Sequence, residues 1–412
     1  MVILHIADLH LGKTLQNKSL AEDQRHWLKS FVGLVRKERP AAVVVAGDVY
    51  DRAAPSGDAV ELLDRFLTEL LSADESLAVM VVAGNHDSGR RLSFGSELLR
   101  RQRLFIAGRT ERELARVPLR DEHGEVSFWL MPYTFPAAVA QALGDADDGA
   151  PRTYTEAVKR YLAAQGVDPA ARNVLVAHQT ATSGGRDPEP GGSETMVGGV
   201  GGIDADAFDA FDYVALGHIH KAQAVGRETI RYAGSPLCYH FDEARWPRKG
   251  AVRVELGPKG TPVGVRLLEI PPLHPLRVVE GAYEEIVARE RANAARGEYV
   301  KVVLTDCRVD AAKADAIRAL FAAKDGCALE VVSSYRTLSG TDARAGGPAR
   351  DRSLAERFVD FWRDRHNGTD PDERTLALVR LAAERVDAGR GDAEADARAL
   401  VEAAKKASAK ED

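Results

Sequence analysis

The sequence predicts an α/β sandwich, followed by a small α+β domain and a helical C-terminal region. Over the first 275 residues, short runs rich in Val, Ile and Leu alternate with longer stretches whose apolar residues recur at helical spacing. Such alternation of strands and helices is typical of an α/β sandwich. After Pro271 and Pro272, which mark a domain boundary, the same alternation starts again on a smaller scale.

The predicted strands of the first domain are nearly continuous apolar runs, as expected for strands that are covered on both faces. They span residues 2–7, 41–46, 78–83, 173–177 and 213–216. Amphipathic patterns around Phe31 and Phe66 predict helices between the first three of these strands. Two later runs, 228–233 and 249–255, are predicted to be antiparallel strands that close the sheet.

The rest of the chain is predicted to hold a compact α+β domain, a linker and a helical tail. Strands are expected at 276–280, 299–304 and 328–333, with helices near 282–294 and 309–323. Ser353 and Glu356 form a capping box at the start of the tail. The predicted boundaries are 1–272 for the first domain, 273–337 for the small domain, 338–352 for the linker and 353–412 for the tail.

The composition excludes several classes of protein. The 412 residues carry a formal net charge of −6 and are 45% hydrophobic, which is typical of a globular protein rather than of a basic protein that coats nucleic acid. Because Cys238, Cys307 and Cys327 form no CxxC pair, a disulfide scaffold and a zinc ribbon are excluded. No apolar run approaches the ~20 residues that a membrane-spanning helix needs, and Asp8 interrupts any signal-peptide core. We therefore expect a cytoplasmic protein with no membrane partner.

A short polar signature ends each of the five predicted strands. In chain order, the signatures are Asp8-Leu9-His10, Gly47-Asp48-Val49-Tyr50-Asp51, Gly84-Asn85-His86-Asp87, His178 and Gly217-His218-Ile219-His220. In an open α/β sheet, ligands bind beyond the carboxyl ends of the strands. The glycines before Asp48, Asn85 and His218 allow the backbone to turn sharply and to approach its neighbours closely. We therefore expect all five signatures to meet at one site.

The chemistry of these signatures predicts a pair of metal ions. The candidate ligands are carboxylates, imidazoles and one amide: Asp8, His10, Asp48, Asn85, His178, His218 and His220. This set suits Mn²⁺, Fe²⁺ or Zn²⁺ better than Ca²⁺. Seven ligands exceed what one ion normally takes, whereas two ions roughly 3.5–4 Å apart would use all of them in a two-metal hydrolase. A lone His or Asp at a strand end is usually a turn or cap residue, but five signatures in one chain disfavour that explanation.

In order along the chain, DxH…GDxxD…GNHD…H…GHxH resembles the signature of the calcineurin-like binuclear metallophosphoesterases. The segments 197–199, 211–220 and 232–237 further resemble the SbcD nucleases of bacteria, the counterparts of the Mre nucleases of archaea and eukaryotes. The resemblance implies a four-layer α/β/β/α sandwich with a small α+β capping domain and C-terminal helices.

The resemblance also assigns roles to single residues. It implies that one metal is held by Asp8, His10, Asp48 and His220, and the second by Asp48, Asn85, His178 and His218. His86 would act on the scissile phosphate, and Asp87 is expected to hold its imidazole ring. Archaeal and eukaryotic relatives carry a second active-site His where this chain has Asp51, which leaves Asp51 a structural or phosphate-side role.

By the same resemblance, the chain is expected to be a Mn²⁺-dependent DNA nuclease, with 3′–5′ exonuclease action on double strands and endonuclease action on hairpins. A separate coiled-coil ATPase, SbcC, would complete a complex for break repair and hairpin removal, associated with the nucleoid, and the nuclease would be a homodimer. An apolar stripe in the tail is expected to bind SbcC: Leu354, Phe358, Phe361 and Trp362. Two alternatives stay open, namely a binuclear phosphodiesterase for cyclic nucleotides or phosphoproteins, and a non-catalytic scaffold.

An arginine-rich segment is the predicted DNA contact. Residues 88–120 carry nine arginines against three glutamates, in a chain that is acidic overall. The arginines expected to contact DNA are Arg90, Arg91, Arg100, Arg101 and Arg103. Contacts between such side chains and phosphates would make binding sensitive to salt. A solvated helix face explains the same arginines equally well.

Overall fold

The computed structural model describes residues 1–145, 150–192 and 201–335, together with 358–359, 362, 369–372, 375–376 and 379. Residues Met1–Tyr335 form one compact unit and Arg336–Asp412 form a second. In the second unit, the helical residues Phe358 and Trp362 bring their rings to 5.8 Å between centroids. The predicted linker and most of the tail lie outside the described residues, as do Leu354 and Phe361 of the predicted partner stripe.

The first unit is built from short strands and a smaller number of helices. The described strands are β1 (Val2–Ile6), β2 (Thr14–Leu15), β3 (Lys18–Ser19), β4 (Ala42–Ala46), β5 (Ala78–Val82), β6 (Leu104–Ala107), β7 (Ala115–Asp121), β8 (Gly124–Met131), β9 (Arg172–His178), β10 (Ala181–Thr182), β11 (Ile203–Asp204), β12 (Tyr213–Gly217), β13 (Gln223–Val225), β14 (Arg227–Tyr232), β15 (Gly250–Glu255), β16 (Gly264–Glu269), β17 (Leu276–Gly281), β18 (Tyr299–Leu304) and β19 (Cys327–Ser333). The described helices are α1 (Ala21–Glu38), α2 (Gly57–Leu71), α3 (Gly89–Leu92), α4 (Ser96–Leu99), α5 (Pro136–Leu143), α6 (Tyr154–Ala163), α7 (Tyr283–Ala292) and α8 (Ala311–Ala322).

Two six-stranded sheets form the centre of this unit. The first has the order β16-β15-β1-β4-β5-β6, in which β1, β4, β5 and β6 are parallel. The second has the order β13-β14-β12-β9-β8-β7, in which β14, β12, β9 and β8 are parallel. The strand at 250–255 pairs antiparallel to β1, as predicted. The strand at 227–232 pairs antiparallel to the edge strand β13, as predicted, but parallel to β12 on its other side.

Three apolar layers hold the sheets and helices together. Between the sheets, residues such as Val44 pack against residues of the second sheet such as Phe128 and Val174. The outer face of the first sheet packs on α1 and α2, where Phe31 is fully buried. The outer face of the second sheet packs on α6, where Tyr161 is fully buried. The predicted α/β/β/α order is therefore confirmed, and the strands are buried on both faces because they lie inside four layers.

Sequence analysis missed several strands of the sandwich, namely β6 to β8 and the edge strands β13 and β16. In β7 the buried residues Val117 and Leu119 alternate with the exposed residues Arg116, Pro118 and Arg120. Such alternation is typical of a strand at a sheet edge, where Pro is tolerated. The arginine-rich segment 88–120 is therefore not one helix face, because it passes through α3, α4, a 3₁₀ turn, β6 and most of β7.

A small parallel sheet follows the sandwich. Its order is β17-β18-β19, and α7 and α8 cover it through a core that includes Ile286 and Phe321. The three strands and two helices expected there are present, while the domain boundary at 272 stays a prediction. Asp23 of α1 joins this region to the sandwich, since its carboxylate accepts from His274 Nδ1 at 2.9 Å and from Tyr299 Oη at 3.4 Å. Among the described helices, every one is too short or too polar to cross a bilayer.

Candidate metal centre

The structure brings the five polar signatures together, although their strands belong to two different sheets. Asp8 and His10 follow β1, Asp48 follows β4, and Asn85 follows β5 in the first sheet; His178 ends β9, and His218 and His220 follow β12 in the second. The carboxyl ends of parallel strands from both sheets therefore converge on one site. The sequence predicted the meeting point but not which strands belong to which of the two sheets.

Two clusters of ligand atoms share the Asp48 carboxylate. In the first cluster, His10 Nε2 lies 3.2 Å from His220 Nε2 and 3.5 Å from Asp48 Oδ2. In the second cluster, His178 Nε2 lies 3.4 Å from Asp48 Oδ2 and 3.0 Å from Asn85 Oδ1. The ligand atoms of Asp8, His10 and His220 lie within 4.8 Å of one another, as do those of Asp8, Asp48 and His178.

The amide of Asn85 also links the second cluster to His218. Asn85 Oδ1 lies 3.1 Å from His218 Nδ1, so one amide oxygen faces two imidazoles. All seven predicted ligands are thus within the two clusters or directly beside them. The arrangement has two halves, one built around His10 and His220 and the other around Asn85, His178 and His218.

Asp8 and Asp48 each use one carboxylate oxygen to accept a hydrogen bond from the backbone of a neighbouring loop. Asp8 Oδ1 accepts from the backbone N–H of His218 at 2.9 Å, and Asp48 Oδ1 accepts from the backbone N–H of His86 at 2.9 Å. The second oxygen of Asp8, Oδ2, is buried and has no hydrogen-bond partner among the described residues. An unpaired buried carboxylate oxygen is costly unless a cation or donor meets it.

The second cluster has the donor chemistry of a cation site. His178 Nδ1 donates to the carbonyl of Ala46 at 2.8 Å, so Nε2 of the neutral ring carries a lone pair. That lone pair faces two acceptors, Asn85 Oδ1 and Asp48 Oδ2. His178 Nε2, Asn85 Oδ1 and Asp48 Oδ2 would repel one another unless a proton or a cation lay between them. The residues therefore fit a divalent metal ion.

Burial and the charge of Asp48 are the main influences on the pKa values within the cluster. Burial opposes protonation of His178, but the charge of Asp48 outweighs it and raises the pKa of His178 to about 9. Burial and the neighbouring His178 lower the pKa of His218 to about 3. Burial raises the pKa of Asp8 to about 6, against the attraction of His178 and His220. The lowered pKa values of His10 and His218 favour the neutral, metal-binding form of these rings, whereas the raised pKa of His178 places a proton beside Asp48 where a bound cation would otherwise lie.

The backbone at the site is strained. Asp8, His10, Asp48 and His218 all have positive φ angles, of 55°, 43°, 48° and 101°. A residue with a side chain in this region costs of order 1 kcal/mol or more and persists only where its surroundings hold it. Here the holding contacts include Asp8 N–H to the carbonyl of Gly47 at 3.0 Å and His10 N–H to the carbonyl of Asp48 at 2.9 Å.

Close packing against Asp48 explains why a glycine precedes Asn85. A Cβ atom at Gly84 would lie 2.1 Å from Asp48 Oδ1 and 2.3 Å from the Asp48 backbone nitrogen. We expect Gly84→Ala to displace Asp48, to lower the free energy of unfolding by ~1–3 kcal/mol and to weaken binding of both ions. Thermal unfolding and Mn²⁺ titration measure the two effects.

The matched control is Gly33→Ala, since a Cβ atom there meets nothing within 4 Å and Gly33 lies inside helix α1. It should stabilise the chain by ~0.4–1 kcal/mol and leave metal binding unchanged. Wild-type metal binding in Gly84→Ala would contradict the close-packing account.

His86 is exposed at the edge of the centre, and its ring is oriented by Asp51 rather than by Asp87. His86 Nδ1 lies 3.0 Å from the carbonyl oxygen of Asp51 and donates to it. The Asp87 carboxylate instead accepts three backbone N–H groups, from Val49, Tyr50 and Gly84, at 2.9–3.0 Å. The expectation that Asp87 holds the His86 ring was therefore wrong, and Asp87 ties the loop after β5 to the loop after β4.

Asp51 contacts His86 through its main-chain carbonyl. Its carboxylate pairs with Lys13 Nζ at 2.7 Å, and His10 Nδ1 lies 3.7 Å from the same oxygen. The sequence could not show the contact with His86, because it is made by a backbone carbonyl, which every residue has.

Sequence analysis also missed Glu243. Its Oε1 lies 3.1 Å from His220 Nδ1, and its side chain is fully buried. Burial opposes ionisation of this carboxyl, but the contact with His220 and the charge of Lys249 outweigh it and hold the pKa of Glu243 at about 2. Glu243 lies in a 3₁₀ turn, Phe241–Arg245, outside any recognisable signature, so only the fold could place it beside His220.

Four of the five predicted DNA-contacting arginines are exposed, in the segment that follows β5. Arg90 and Arg91 are exposed on α3, and Arg100 and Arg101 are exposed in the 3₁₀ turn that follows α4. Arg103 is half-buried. Arg91 also donates to the carbonyl of Ala53 at 3.1 Å, which connects α3 to the loop that follows Asp48.

Comparison with known proteins agrees with this fold and site. The family model described as calcineurin-like phosphoesterase matches residues 1–222. The chain belongs to this family of phosphoesterases, and the family together with the clustered ligands defines a binuclear divalent metal site.

Two relatives give the subfamily. The SbcD component of the SbcCD nuclease of Staphylococcus saprophyticus is 34% identical over 289 residues, which are 70% of this chain and 73% of the relative. The protein of the same name from Staphylococcus epidermidis is 32% identical over 308 residues, 74% of this chain and 79% of the relative. Within the phosphoesterases the chain is thus of the SbcD type, a hydrolase whose target class is the phosphodiester bond.

Among solved structures, a dimetal phosphatase from Danio rerio matches with a TM-score of 0.37 and 14% identity, over 66% of this chain and 98% of that one.

Proposed function

We propose that this chain is the DNA nuclease component of a complex with the ATPase SbcC, with Mn²⁺ as its metal. The observation that carries the proposal is the two-part cluster around Asp48, with the exposed imidazole of His86 beside it. The similarity to SbcD proteins supports DNA as the substrate. We further propose 3′–5′ exonuclease action on double strands and endonuclease action on hairpins.

The seven clustered residues are the proposed ligands. Asp8, His10 and His220 would hold one ion, and Asn85, His178 and His218 the other, with Asp48 shared by both. Two divalent ions at such a site supply an activated water and neutralise charge on the phosphate.

His86 is the proposed group that acts on the substrate. It is exposed, it is not among the proposed ligands, and its Nδ1–H is fixed by the Asp51 carbonyl. Because Nδ1 is engaged, the proton that the ring gives or takes is the one on Nε2. From that nitrogen, His86 would donate to the oxygen that leaves phosphorus, as a general acid does.

The exposed arginines of α3 and the following turn support a role in holding the DNA backbone. We expect Arg90→Gln with Arg101→Gln to weaken DNA binding equally for all sequences and to lower the slope of log K against log salt by ~2, about 0.9 for each lost phosphate contact. Fluorescence anisotropy at several salt concentrations measures the slope.

The control is Arg65→Gln, because Arg65 is exposed on α2 and already pairs with Glu61 at 2.8 Å. It should leave the slope unchanged. An unchanged slope in the double variant would remove these arginines from the DNA contact.

Two exposed apolar residues support the proposed homodimer. Phe94 is 88% exposed and Leu98 is 75% exposed, the largest values among the exposed large hydrophobic residues of the described chain. Two large apolar side chains that are this strongly exposed, four positions apart along the chain, are typical of an interaction surface. We expect Phe94→Ser with Leu98→Ser to convert a dimer to a monomer in light-scattering chromatography.

Val278→Ser, at a residue that is 42% exposed in the small sheet, is the control and should stay dimeric. A double variant with wild-type mass would place the dimer contact elsewhere. The proposed SbcC contact involves the tail, where Phe358 and Trp362 bring their rings together.

The substrate is tested by competition. The purified chain is given a labelled DNA hairpin and a cyclic nucleotide in the presence of Mn²⁺. Cleavage of the hairpin alone supports the nuclease, whereas hydrolysis of only the cyclic nucleotide would make the chain a different binuclear phosphodiesterase. If neither is hydrolysed even after SbcC is added, the proposal falls.

A further inference from the structure

A buried ion pair, Glu243 and Lys249, lies directly behind His220. His220 Nδ1 lies 3.1 Å from Glu243 Oε1, and Lys249 Nζ lies 2.7 Å from Glu243 Oε2. Glu243 is fully buried and Lys249 is only 7% exposed. Two charges taken out of water cost several kcal/mol each unless their hydrogen bonds are complete, so the contacts of this pair are informative.

The ammonium group of Lys249 has all three of its protons engaged. Besides Glu243, it donates to Ser235 Oγ at 2.9 Å and to the backbone carbonyl of His220 at 2.9 Å. An ammonium group has three donors and no acceptor, so this set of partners is complete. Lys249 therefore balances the charge of Glu243 and also donates a hydrogen bond to the main chain of His220.

Glu243 fixes the ring of the same residue. An ionised carboxylate only accepts hydrogen bonds, so the proton of a neutral His220 ring must sit on Nδ1. The lone pair is then on Nε2, the atom that lies 3.2 Å from His10 Nε2 in the first cluster. His220 is thus held at its ring by Glu243 and at its carbonyl by Lys249.

The other half of the centre is supported differently. His178 Nδ1 donates to the backbone carbonyl of Ala46, which is neutral. A charged carboxylate behind a ligating imidazole orients the ring and strengthens it as a donor more than a neutral group does. The carboxylate nearest to His178 Nδ1 is that of Asp8, a proposed ligand, at 3.9 Å, whereas Glu243 lies within hydrogen-bond distance of His220 Nδ1.

We propose that Glu243 and Lys249 are positioning residues for His220, and that they set the metal affinity of the His10–His220 half without affecting the His178 half. The inference rests on the ligand assignment made under the proposed function. It predicts that the two ions respond unequally to a change at Glu243.

The test is a Mn²⁺ titration of the full chain by calorimetry and electron paramagnetic resonance. Wild type should bind two ions and give the signal of a spin-coupled pair. Glu243→Gln keeps the shape of the side chain and removes its charge, so one ion should bind with wild-type affinity and the other at least ~10-fold more weakly. At intermediate Mn²⁺, the signal of an isolated ion should replace the coupled one.

Glu290→Gln is the matched control. Glu290 is 1% exposed and pairs with Arg277 at 2.7 Å in the small sheet, away from the cluster. This variant should lose stability but keep two Mn²⁺ ions of wild-type affinity, which separates positioning from general destabilisation.

Each outcome decides the inference. If Glu243→Gln binds both ions with wild-type affinity, or loses both equally, the inference is overturned. If Glu243→Gln does not fold because Lys249 is left unpaired, the double variant Glu243→Gln with Lys249→Met removes both charges and must show the same selective loss. A wild-type chain that binds fewer than two ions would overturn the ligand assignment and this inference together, and would be seen before any variant is made.

Discussion

Asp48→Asn should abolish hydrolysis and prevent the chain from holding two metal ions together. Asp48 Oδ2 is the oxygen that both clusters share, at 3.5 Å from His10 Nε2 and 3.4 Å from His178 Nε2. The substitution keeps the size of the side chain but removes its charge. We expect a loss of at least ~10³-fold in hydrolysis, about 4 kcal/mol of transition-state stabilisation, because the ions and the charge neutralisation they supply depend on this carboxylate.

The effect of Asp48→Asn is measured by Mn²⁺ titration alongside hydrolysis. Asp64→Asn, at an exposed position on α2, is the control and should behave as wild type. Two tightly bound ions in Asp48→Asn would show that the shared carboxylate is not the residue that joins the two halves.

His86→Ala should separate catalysis from metal binding. The His86 side chain is exposed and bonded to the Asp51 carbonyl, and it contributes no atom to the proposed ligand set. Loss of a general acid typically costs ~10²–10⁴-fold in rate. We therefore expect hydrolysis to fall by that factor while both Mn²⁺ ions bind with wild-type affinity.

The neighbouring variant Asn85→Ala is the paired comparison. Asn85 Oδ1 lies between His178 and His218, so its loss should weaken the second ion and hydrolysis together. Equal loss of metal in His86→Ala and Asn85→Ala would refute the separate roles of these adjacent residues.

The sequence predicted which polar side chains meet better than it predicted the sheets around them. The seven candidate ligand positions could be grouped because each lies at the end of an apolar strand, and strand ends in α/β folds meet. Which sheet a strand joins depends on pairing between distant segments, so the split of β1, β4 and β5 from β9 and β12 was not predictable from local patterns. Strand β7 was missed because it has no continuous apolar run like those of the predicted strands, since its buried residues alternate with exposed ones.

The residues behind the ligands were the least predictable part. Asp87 follows His86 directly and so was expected to hold its ring, but the three backbone N–H groups that it accepts come from loops that only the fold brings near. Lys249 is one of several basic residues near position 248, yet it alone among them is buried, against Glu243. These roles depend on hydrogen bonds between residues that are far apart in sequence. Such bonds produce no recognisable spacing of residues along the chain.

The most direct test of the central claim starts from the metal-free chain. Mn²⁺ is added stepwise, and cleavage of a labelled DNA hairpin is measured at each amount of bound Mn²⁺. We predict no cleavage by the metal-free chain, little at one equivalent, and a rise to full rate only as the second equivalent binds, with His86→Ala slower by ~10²–10⁴-fold when both ions are bound. Full-rate cleavage with one bound ion, or cleavage by the metal-free chain, would contradict a binuclear nuclease built around Asp48.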